Sequence, residues 1–409
     1  MSKSIVVLAA DTVPLPIHKG VLENLDKNSV SQFRNNYTDA SESGTRSWKF
    51  AEELSKDFDV TLLIPDCYYP EEEYIDKSDL QFELDSYNYR ICSWNWSQGL
   101  DRKLKKANFV IAPTGFGTGL QNCAVLPSNA NLIADGWSIL PLELAGQLLT
   151  HSKISRKVFW KRAIAQHEEM ITRSNCVLVA NERQLHFYEG LFYGIGKHNY
   201  NSFQFSPILK VPSGLSKNWD YSDYTERPDS DLKLLWLGPV QSWDYPELLL
   251  RDLINYDDIV IEFVDIKDKR NPKVFNTYFK NFFDPERLNN ISNISVRDLD
   301  SINLKDYDFA ISLTRNWVLS SYIHKPVLLD FIAGGLPVIT NAENSIYQEF
   351  EFLQDHICPI DINLAKSQIE NLKSIKKDYQ VNKSTKDTLE SVFDWSNVLL
   401  PLVDYIHNF

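Results

Sequence analysis

The sequence predicts an α/β protein with two Rossmann-like, doubly wound domains that face a central cleft. The chain has 409 residues, more than one hydrophobic core usually supports, since domains of about 100–200 residues are the norm. Short apolar runs alternate with longer amphipathic stretches, the pattern of parallel strands covered by helices on both faces. Because the pattern occurs in both halves, each half is predicted to form its own sheet.

The runs that predict strands are short and rich in β-branched and apolar residues. In the first half they cover residues 5–8, 60–65, 109–112, 131–134 and 176–180. In the second half they cover residues 234–237, 259–264, 309–313 and 337–340. Helical periodicity predicts helices over 46–56 and 156–173, and the turn residues at 211–215 predict a domain boundary there.

Composition excludes several classes of protein. The chain is 43% hydrophobic and 24% charged, which is typical of a globular protein. A net charge of −13 argues against a general nucleic-acid binder, which would need clustered Lys and Arg. Five scattered cysteines form no zinc motif and predict reduced thiols in a cytoplasmic protein without a metal site. No apolar window reaches the roughly 18–20 residues of a membrane span, so membrane attachment would be peripheral.

The most specific motif lies at residues 324–340, His-Lys-Pro-Val-Leu-Leu-Asp-Phe-Ile-Ala-Gly-Gly-Leu-Pro-Val-Ile-Thr. Gly334 and Gly335 are predicted to end a helix, because glycine permits a positive φ or a close backbone approach. Pro337 then begins a buried strand. A ligand phosphate or ribose can lie against such a helix at the carboxyl edge of the sheet.

With Leu-Leu-Trp-Leu-Gly at 234–238, this motif resembles the C-terminal domain of the family-4 retaining glycosyltransferases, which have the GT-B fold. The segment 176–184 is similar to bacterial polysaccharide-cluster members, which implies polysaccharide biosynthesis. The resemblance implies transfer of a sugar from a nucleotide-sugar donor such as a UDP- or GDP-sugar, with retention. The acceptor would be a glycan, a lipid-linked molecule or a small molecule. No cofactor and no obligatory metal are implied.

The resemblance also implies donor-binding residues in the second domain. The family has two glutamates separated by seven residues; Asp330 stands at the second position, which holds the donor ribose, and Tyr322 at the first, near the transferred sugar. After its first glycine, here Gly238, the family has an Arg and a Lys that neutralise the donor pyrophosphate, and this chain has neither. Lys325, or failing that Arg315, is expected to supply the positive charge.

The first domain resembles the family more weakly. Gly-Thr-Arg-Ser-Trp at 44–48 is similar to the first-domain loop that approaches donor and acceptor, which makes Arg46 a candidate catalytic residue. Asp135 stands about where many relatives have a histidine, and it could orient an acceptor hydroxyl or act as a general base. The segment 393–409 is similar to the family's closing segment, which packs back onto the first domain. The predicted domains are 1–215, which binds the acceptor, and 216–392, which binds the donor.

Two alternatives to a transferase remain open on the sequence. A nucleotide-sugar epimerase would use the same architecture. A GT-B protein that binds a nucleotide sugar or a glycan without transfer would account for the missing Arg and Lys after Gly238 and for Tyr322 in place of a glutamate.

A basic, aromatic stretch at residues 153–162 also has two interpretations. The favoured one is an ordinary amphipathic helix whose aromatic side chains face the core. The other is peripheral contact with an anionic membrane or with an acidic acceptor.

Overall fold

The chain divides into two compact units. The computed structural model describes residues 3–9, 42–65, 83–84, 88–94, 104, 106–114, 131–147, 153–197, 207–215, 231–237, 258–265, 294–298, 303–313, 322, 325–340, 348–359, 366–378 and 383–409. Unit 1 comprises Met1–Ser213 and Trp395–Phe409, and unit 2 comprises Gly214–Asp394. These limits lie two residues from each of the predicted boundaries.

Unit 1 is built on an eight-stranded sheet, sheet 1. Its strands are β1 (Ser4–Leu8), β2 (Asp59–Pro65), β3 (Glu83–Leu84), β4 (Arg90–Trp94), β5 (Phe109–Pro113), β6 (Asn131–Asp135), β7 (Cys176–Val179) and β8 (Ile208–Lys210). They lie in the order β3-β4-β2-β1-β5-β6-β7-β8. All pairs are parallel except β3 with β4. The order reverses between β1 and β5, where doubly wound sheets bind ligands.

The helices of unit 1 connect these strands and close its core. They are α1 (Glu42–Leu54), α2 (Leu140–Gln147), α3 (Lys153–Arg173) and α4 (Glu182–Gly194), followed much later in the chain by α8 (Trp395–Val398) and α9 (Leu400–Asn408). Asn181 caps α4, since its side chain accepts a hydrogen bond from Gln184 N, which satisfies a donor left open at the helix start. Lys197 caps the carboxyl end of α3, because its side chain donates hydrogen bonds to the Ile171 and Thr172 carbonyls at 2.9 and 3.1 Å.

The core of unit 1 combines residues from both of its segments. Strand residues such as Ile5 and Leu62 pack with Phe50 of α1 and with Leu402 and Ile406 of α9. Trp395 meets the Phe50 ring edge to face at 6.2 Å. Lys3 donates hydrogen bonds to the carbonyls of Ile406 and His407 at 2.6 and 3.1 Å, so residues about 400 positions apart in sequence are held together.

Unit 2 is built on a six-stranded parallel sheet, sheet 2. Its strands are β9 (Leu232–Leu237), β10 (Ile259–Asp265), β11 (Ile294–Asp298), β12 (Phe309–Ile311), β13 (Val338–Thr340) and β14 (Ile357–Pro359). They lie in the order β11-β10-β9-β12-β13-β14, which is the 3-2-1-4-5-6 order of a Rossmann fold. The described helices are α5 (Val327–Ala333), α6 (Lys366–Asp378) and α7 (Lys383–Phe393). The helix α5 packs into the core with Leu304, Leu336 and Leu389.

The predicted fold class is confirmed. Every strand predicted from an apolar run is present, with ends that differ by two residues or fewer. Five further strands were not predicted: β3, β4, β8, β11 and β14. Each is short or carries polar residues and therefore lacks the continuous apolar run that marks a strand buried on both faces. The predicted helices are present as α1 and α3, each beginning earlier than expected.

Candidate functional site

The first-domain candidates lie at the carboxyl edge of sheet 1. Asp135 is the last residue of β6, and Thr114 directly follows the neighbouring strand β5. Arg46 lies in α1, which connects β1 to β2. The motif at 44–48, expected to be a loop before a helix, is instead part of α1, because the helix already begins at Glu42. Parallel strands bring their carboxyl ends to one edge, and the sheet therefore gathers these residues.

The structure brings Arg46 and Asp135 into direct contact. Arg46 Nε lies 2.9 Å from Asp135 Oδ2, and Arg46 Nη2 lies 3.0 Å from Oδ1, a two-pronged ion pair. Two further guanidinium hydrogen bonds go to the carbonyls of Val211 and Pro212 at 2.8 and 2.9 Å. Only 1% of Arg46 and 5% of Asp135 is exposed. Arg46 Cζ also lies 4.6 Å from the centroid of the Phe50 ring. Hydrogen bonds, an ion pair and this ring contact therefore all stabilise the buried guanidinium.

The turn after Asp135 is fixed by two side chains of α4. Gln184 accepts a hydrogen bond from Ala180 N and donates one to the Trp137 carbonyl, both at 2.7 Å. Tyr188 packs beneath Gly136 so closely that a Cβ on that glycine would lie 2.8 Å from the Tyr188 hydroxyl oxygen. Any other residue at this position would collide with the ring, which explains why glycine follows Asp135. The turn that follows Asp135 is therefore held in place by contacts with α4.

Buried polar side chains of His167, Tyr188 and Thr114 lie next to this turn. His167 Nε2 is 3.4 Å from the Tyr188 hydroxyl, and the Thr114 hydroxyl donates to the Asp135 carbonyl at 3.2 Å. Burial lowers the pKa of His167 to about 4, which keeps the imidazole neutral at physiological pH. Burial also raises the pKa of Tyr188 and that of Glu143. No sequence pattern marks His167 and Tyr188 as partners, because they lie 21 positions apart, and none marks Glu143.

The second-domain candidates follow the strands at the reversal point of sheet 2. Gly238 comes directly after β9, and Arg315 follows β12, the strand that pairs with β9. Both residues lie outside the described residues. Asp330 lies in the first turn of α5, the helix that connects β12 to β13, and only 7% of it is exposed. Lys325, just before this helix, and Tyr322 are both half-buried. The strand topology places Asp330 and Lys325 between the carboxyl end of β12 and the start of β13.

The glycine pair ends α5, and a different physical constraint favours glycine at each of the two positions. Gly335 has a φ of 81°, the left-handed region that side chains disfavour. Its N–H donates to Ile332 O at 3.0 Å, and Leu336 N donates to Phe331 O at 2.8 Å, the pattern of a Schellman motif. Gly334 has an ordinary φ, but a Cβ there would lie 2.3 Å from Leu304 Cδ1. The helix end is thus packed closely against its neighbour in unit 2.

Neither a metal site nor a membrane span is present among the described residues. These residues contain no group of three or more His, Cys, Asp or Glu side chains able to hold a metal ion. None of the helices described is both long and apolar enough to cross a membrane. An open surface depression on α7 is lined by Ser384, Asp387, Thr388 and Ser391 and includes none of the candidate residues.

Solved structures show which fold the whole chain has. No protein-family model matches the sequence, and no curated protein sequence matches it. The structure is similar to sucrose-phosphate synthase from Thermosynechococcus elongatus, with a TM-score of 0.61 and 11% identity over 99% of this chain and 98% of that chain. It is similar to α,α-trehalose 6-phosphate synthase from Burkholderia multivorans, with a TM-score of 0.56 and 9% identity over 100% of this chain and 97% of that chain.

A third similar structure was solved with a nucleotide. HepE from Anabaena in complex with UDP has a TM-score of 0.53 and 10% identity, over 100% of both chains. These similarities extend over both units, and the strand order of each sheet is that of a doubly wound fold. The chain therefore has the GT-B fold.

Proposed function

We propose that the protein is a glycosyltransferase that takes a sugar from a nucleoside-diphosphate sugar and transfers it to an acceptor. The observation that carries this proposal is the match over both units to two enzymes that synthesise a sugar phosphate. HepE, which matches over its entire length, was solved with UDP. Fold alone does not fix a reaction, so the proposal also draws on the residues at the carboxyl edges of the two sheets.

In this proposal, unit 2 binds the donor. Asp330 accepts hydrogen bonds from the ribose hydroxyls, and Lys325 or Arg315 neutralises the pyrophosphate. Tyr322, Gly238, Gly334 and Gly335 complete the proposed donor site. As the glycosidic bond breaks, negative charge builds on the departing diphosphate, and a nearby cation stabilises that charge. Retention of configuration, a hexose donor and a role in polysaccharide biosynthesis are part of the proposal.

Unit 1 is proposed to act on the acceptor and on the transferred sugar through Asp135 and Arg46. The ion pair holds the Asp135 carboxylate in one orientation, and Gln184 and Tyr188 fix the turn that follows it. Such a preorganised carboxylate can orient an acceptor hydroxyl without reorganising during the reaction. The cytoplasmic location, the lack of a cofactor and the acceptor class stay predictions, and contact of residues 153–162 with a membrane is a separate proposal.

The test of donor binding is a titration of the full-length protein with nucleoside diphosphates. We expect UDP, GDP, ADP or TDP to raise the melting temperature, since a ligand that binds only the folded state stabilises it. The Asp330→Asn variant should then bind that nucleotide about 10- to 100-fold more weakly, which is the typical worth of a hydrogen bond to a charged group. Asp306→Asn, at an exposed position of the same unit, is the matched control and should bind like the parent protein.

Two further measurements separate ribose recognition from general damage. A 2′,3′-dideoxynucleoside diphosphate should bind the parent and the Asp330→Asn variant equally, because the hydroxyls that Asp330 contacts are missing. Release of the nucleoside diphosphate from a panel of nucleotide sugars, with and without candidate acceptors, then tests transfer. An isomerised sugar without an acceptor would identify an epimerase instead, and nucleotide binding without turnover would identify a binding protein.

A further inference from the structure

Helix α3 is longer than the part of sheet 1 that it covers. Its 21 residues span about 31 Å at the rise of an α-helix. The helix packs against α2 and against β6. The five residues of β6 span roughly 17 Å. Asn175, just after the helix, donates its N–H to the Leu132 carbonyl at 2.7 Å, which places the end of α3 at the amino edge of the sheet. The first turns of α3 therefore extend past the carboxyl edge.

The burial pattern along α3 agrees with this geometry. The side chains of Ala163, His167, Met170 and Ile171 are buried, at the spacing of one helical face. Residues 157–162, which we name the α3 tip, are all exposed. Since six consecutive positions cover the whole circumference of a helix, no side of the tip carries a buried side chain. The favoured expectation that its aromatic side chains face the core is therefore wrong.

The α3 tip combines apolar and cationic side chains. Val158 is 63% exposed, Phe159 53% and Trp160 37%. The other three residues, Lys157, Lys161 and Arg162, are exposed cations. This local positive charge stands out in a chain whose net charge is −13. Large apolar side chains exposed together are uncommon on a soluble surface and mark contact sites.

We propose that the α3 tip binds the surface of an anionic lipid bilayer. Phe159 and Val158 would enter the boundary between headgroups and acyl chains, and Trp160 would lie at the headgroup level, where tryptophan is enriched. The three cations would pair with anionic headgroups. Both kinds of side chain come from one short helical segment, so a single contact satisfies them together.

Charge argues for a bilayer over a second copy of the chain. A symmetric contact between two tips would bring three cations against the same three cations of the partner, which opposes association. An anionic bilayer offers the opposite charge. The rest of the protein is acidic and is repelled by the same bilayer, so binding should depend on the tip alone and should weaken as salt screens its charges.

Docking by the α3 tip also has a consequence for the acceptor. The tip lies past the edge of sheet 1 at which Asp135 ends β6. Bilayer contact there brings the proposed acceptor residues toward the lipid headgroups, which favours a lipid-linked acceptor. This consequence rests on the proposed function, whereas bilayer binding does not, so a protein that binds vesicles and lacks transferase activity would contradict only the first.

The test is flotation of the full-length protein with vesicles. We expect binding to phosphatidylcholine vesicles that contain one third phosphatidylglycerol, and little binding to phosphatidylcholine alone. Replacing Lys157, Lys161 and Arg162 with Gln should weaken binding about fivefold per cation. Phe159→Ser should weaken it as well, and high salt should release the parent protein. Because the tip is exposed, these variants should keep the melting temperature of the parent.

Matched controls carry the same changes elsewhere. Lys106, Lys233 and Lys305 are exposed, and their replacement with Gln removes the same charge. Tyr193 is 63% exposed on α4, and Tyr193→Ser is the control for the loss of an exposed aromatic side chain. The proposal is overturned if neutral and anionic vesicles bind equally, if neither binds, or if the controls lose as much binding as the tip variants. A dimer that Phe159→Ser converts to a monomer, without vesicle binding, would identify a second copy as the partner.

Discussion

Arg46 and Asp135 form a buried ion pair to which the proposed function also gives a chemical role. Burying two charges is costly, and the cost is offset only where the partners and the remaining hydrogen bonds are in place. Arg46 meets this condition through the carboxylate and two backbone carbonyls. The pair therefore stabilises unit 1 whether or not it touches a substrate, so loss of activity in a single variant would not establish a catalytic role.

A double-mutant cycle separates the two roles. Arg46→Met leaves a buried carboxylate without its partner and should lower the free energy of unfolding by about 3–5 kcal/mol. Arg46→Met combined with Asp135→Leu removes both charges and should recover much of that loss, as measured by denaturant unfolding. If the carboxylate acts on the sugar or the acceptor, the double variant stays inactive although it is stable. Activity that returns with stability would show that the pair is only structural.

At the scale of single elements, the end of α5 limits which substitutions the glycine pair at 334–335 tolerates. Gly335→Ala should lower the free energy of unfolding of unit 2 by about 1–2 kcal/mol, since alanine in the left-handed region is strained. Gly335→Asn should cost less, because asparagine tolerates that region. Gly190→Ala, in the middle of α4 with no neighbouring atom near its added Cβ, should be neutral or slightly stabilising. Equal effects of Gly335→Ala and Gly190→Ala on urea midpoints would contradict this account.

Elements also show where sequence reasoning succeeds and where it stops. Strands such as β5 (Phe-Val-Ile-Ala-Pro) are buried on both faces, so a continuous apolar run in the sequence predicts them. The edge strand β8 (Ile-Leu-Lys) is short and only partly buried, and no pattern marks it. Arg46 and Asp135 were each singled out, but they lie 89 positions apart, and only the strand order brings them together. Periodicity predicts buried aromatic side chains at the α3 tip, and this prediction is wrong because periodicity does not reveal how far a helix extends past its sheet.

At the scale of the molecule, the core of unit 1 is built from two chain segments, one before and one after unit 2 in the sequence. Ile406 of α9 is fully buried in its core, whereas Leu400 of the same helix is 52% exposed. Ile406→Asp should therefore destabilise unit 1 by about 3–5 kcal/mol, the usual effect of an unpaired buried charge. Leu400→Asp should have little effect. Hydrogen exchange should show lost protection in β1 of the Ile406→Asp variant and unchanged protection in β9; a loss confined to α9 itself would contradict the role assigned to this helix.

This interleaving of segments sets an order of events during translation. Domains usually fold as they leave the ribosome, the amino-terminal one first. Here the strands of unit 1 emerge first, but α8 and α9 are made only after all of unit 2. Until α8 and α9 are made, part of the apolar core of unit 1 stays uncovered. This interval is the time needed to translate the roughly 180 residues of unit 2, at about 5–20 residues per second. Nascent chains should accordingly recruit chaperones throughout that interval, and a split of the gene at a single point would leave one half unable to fold.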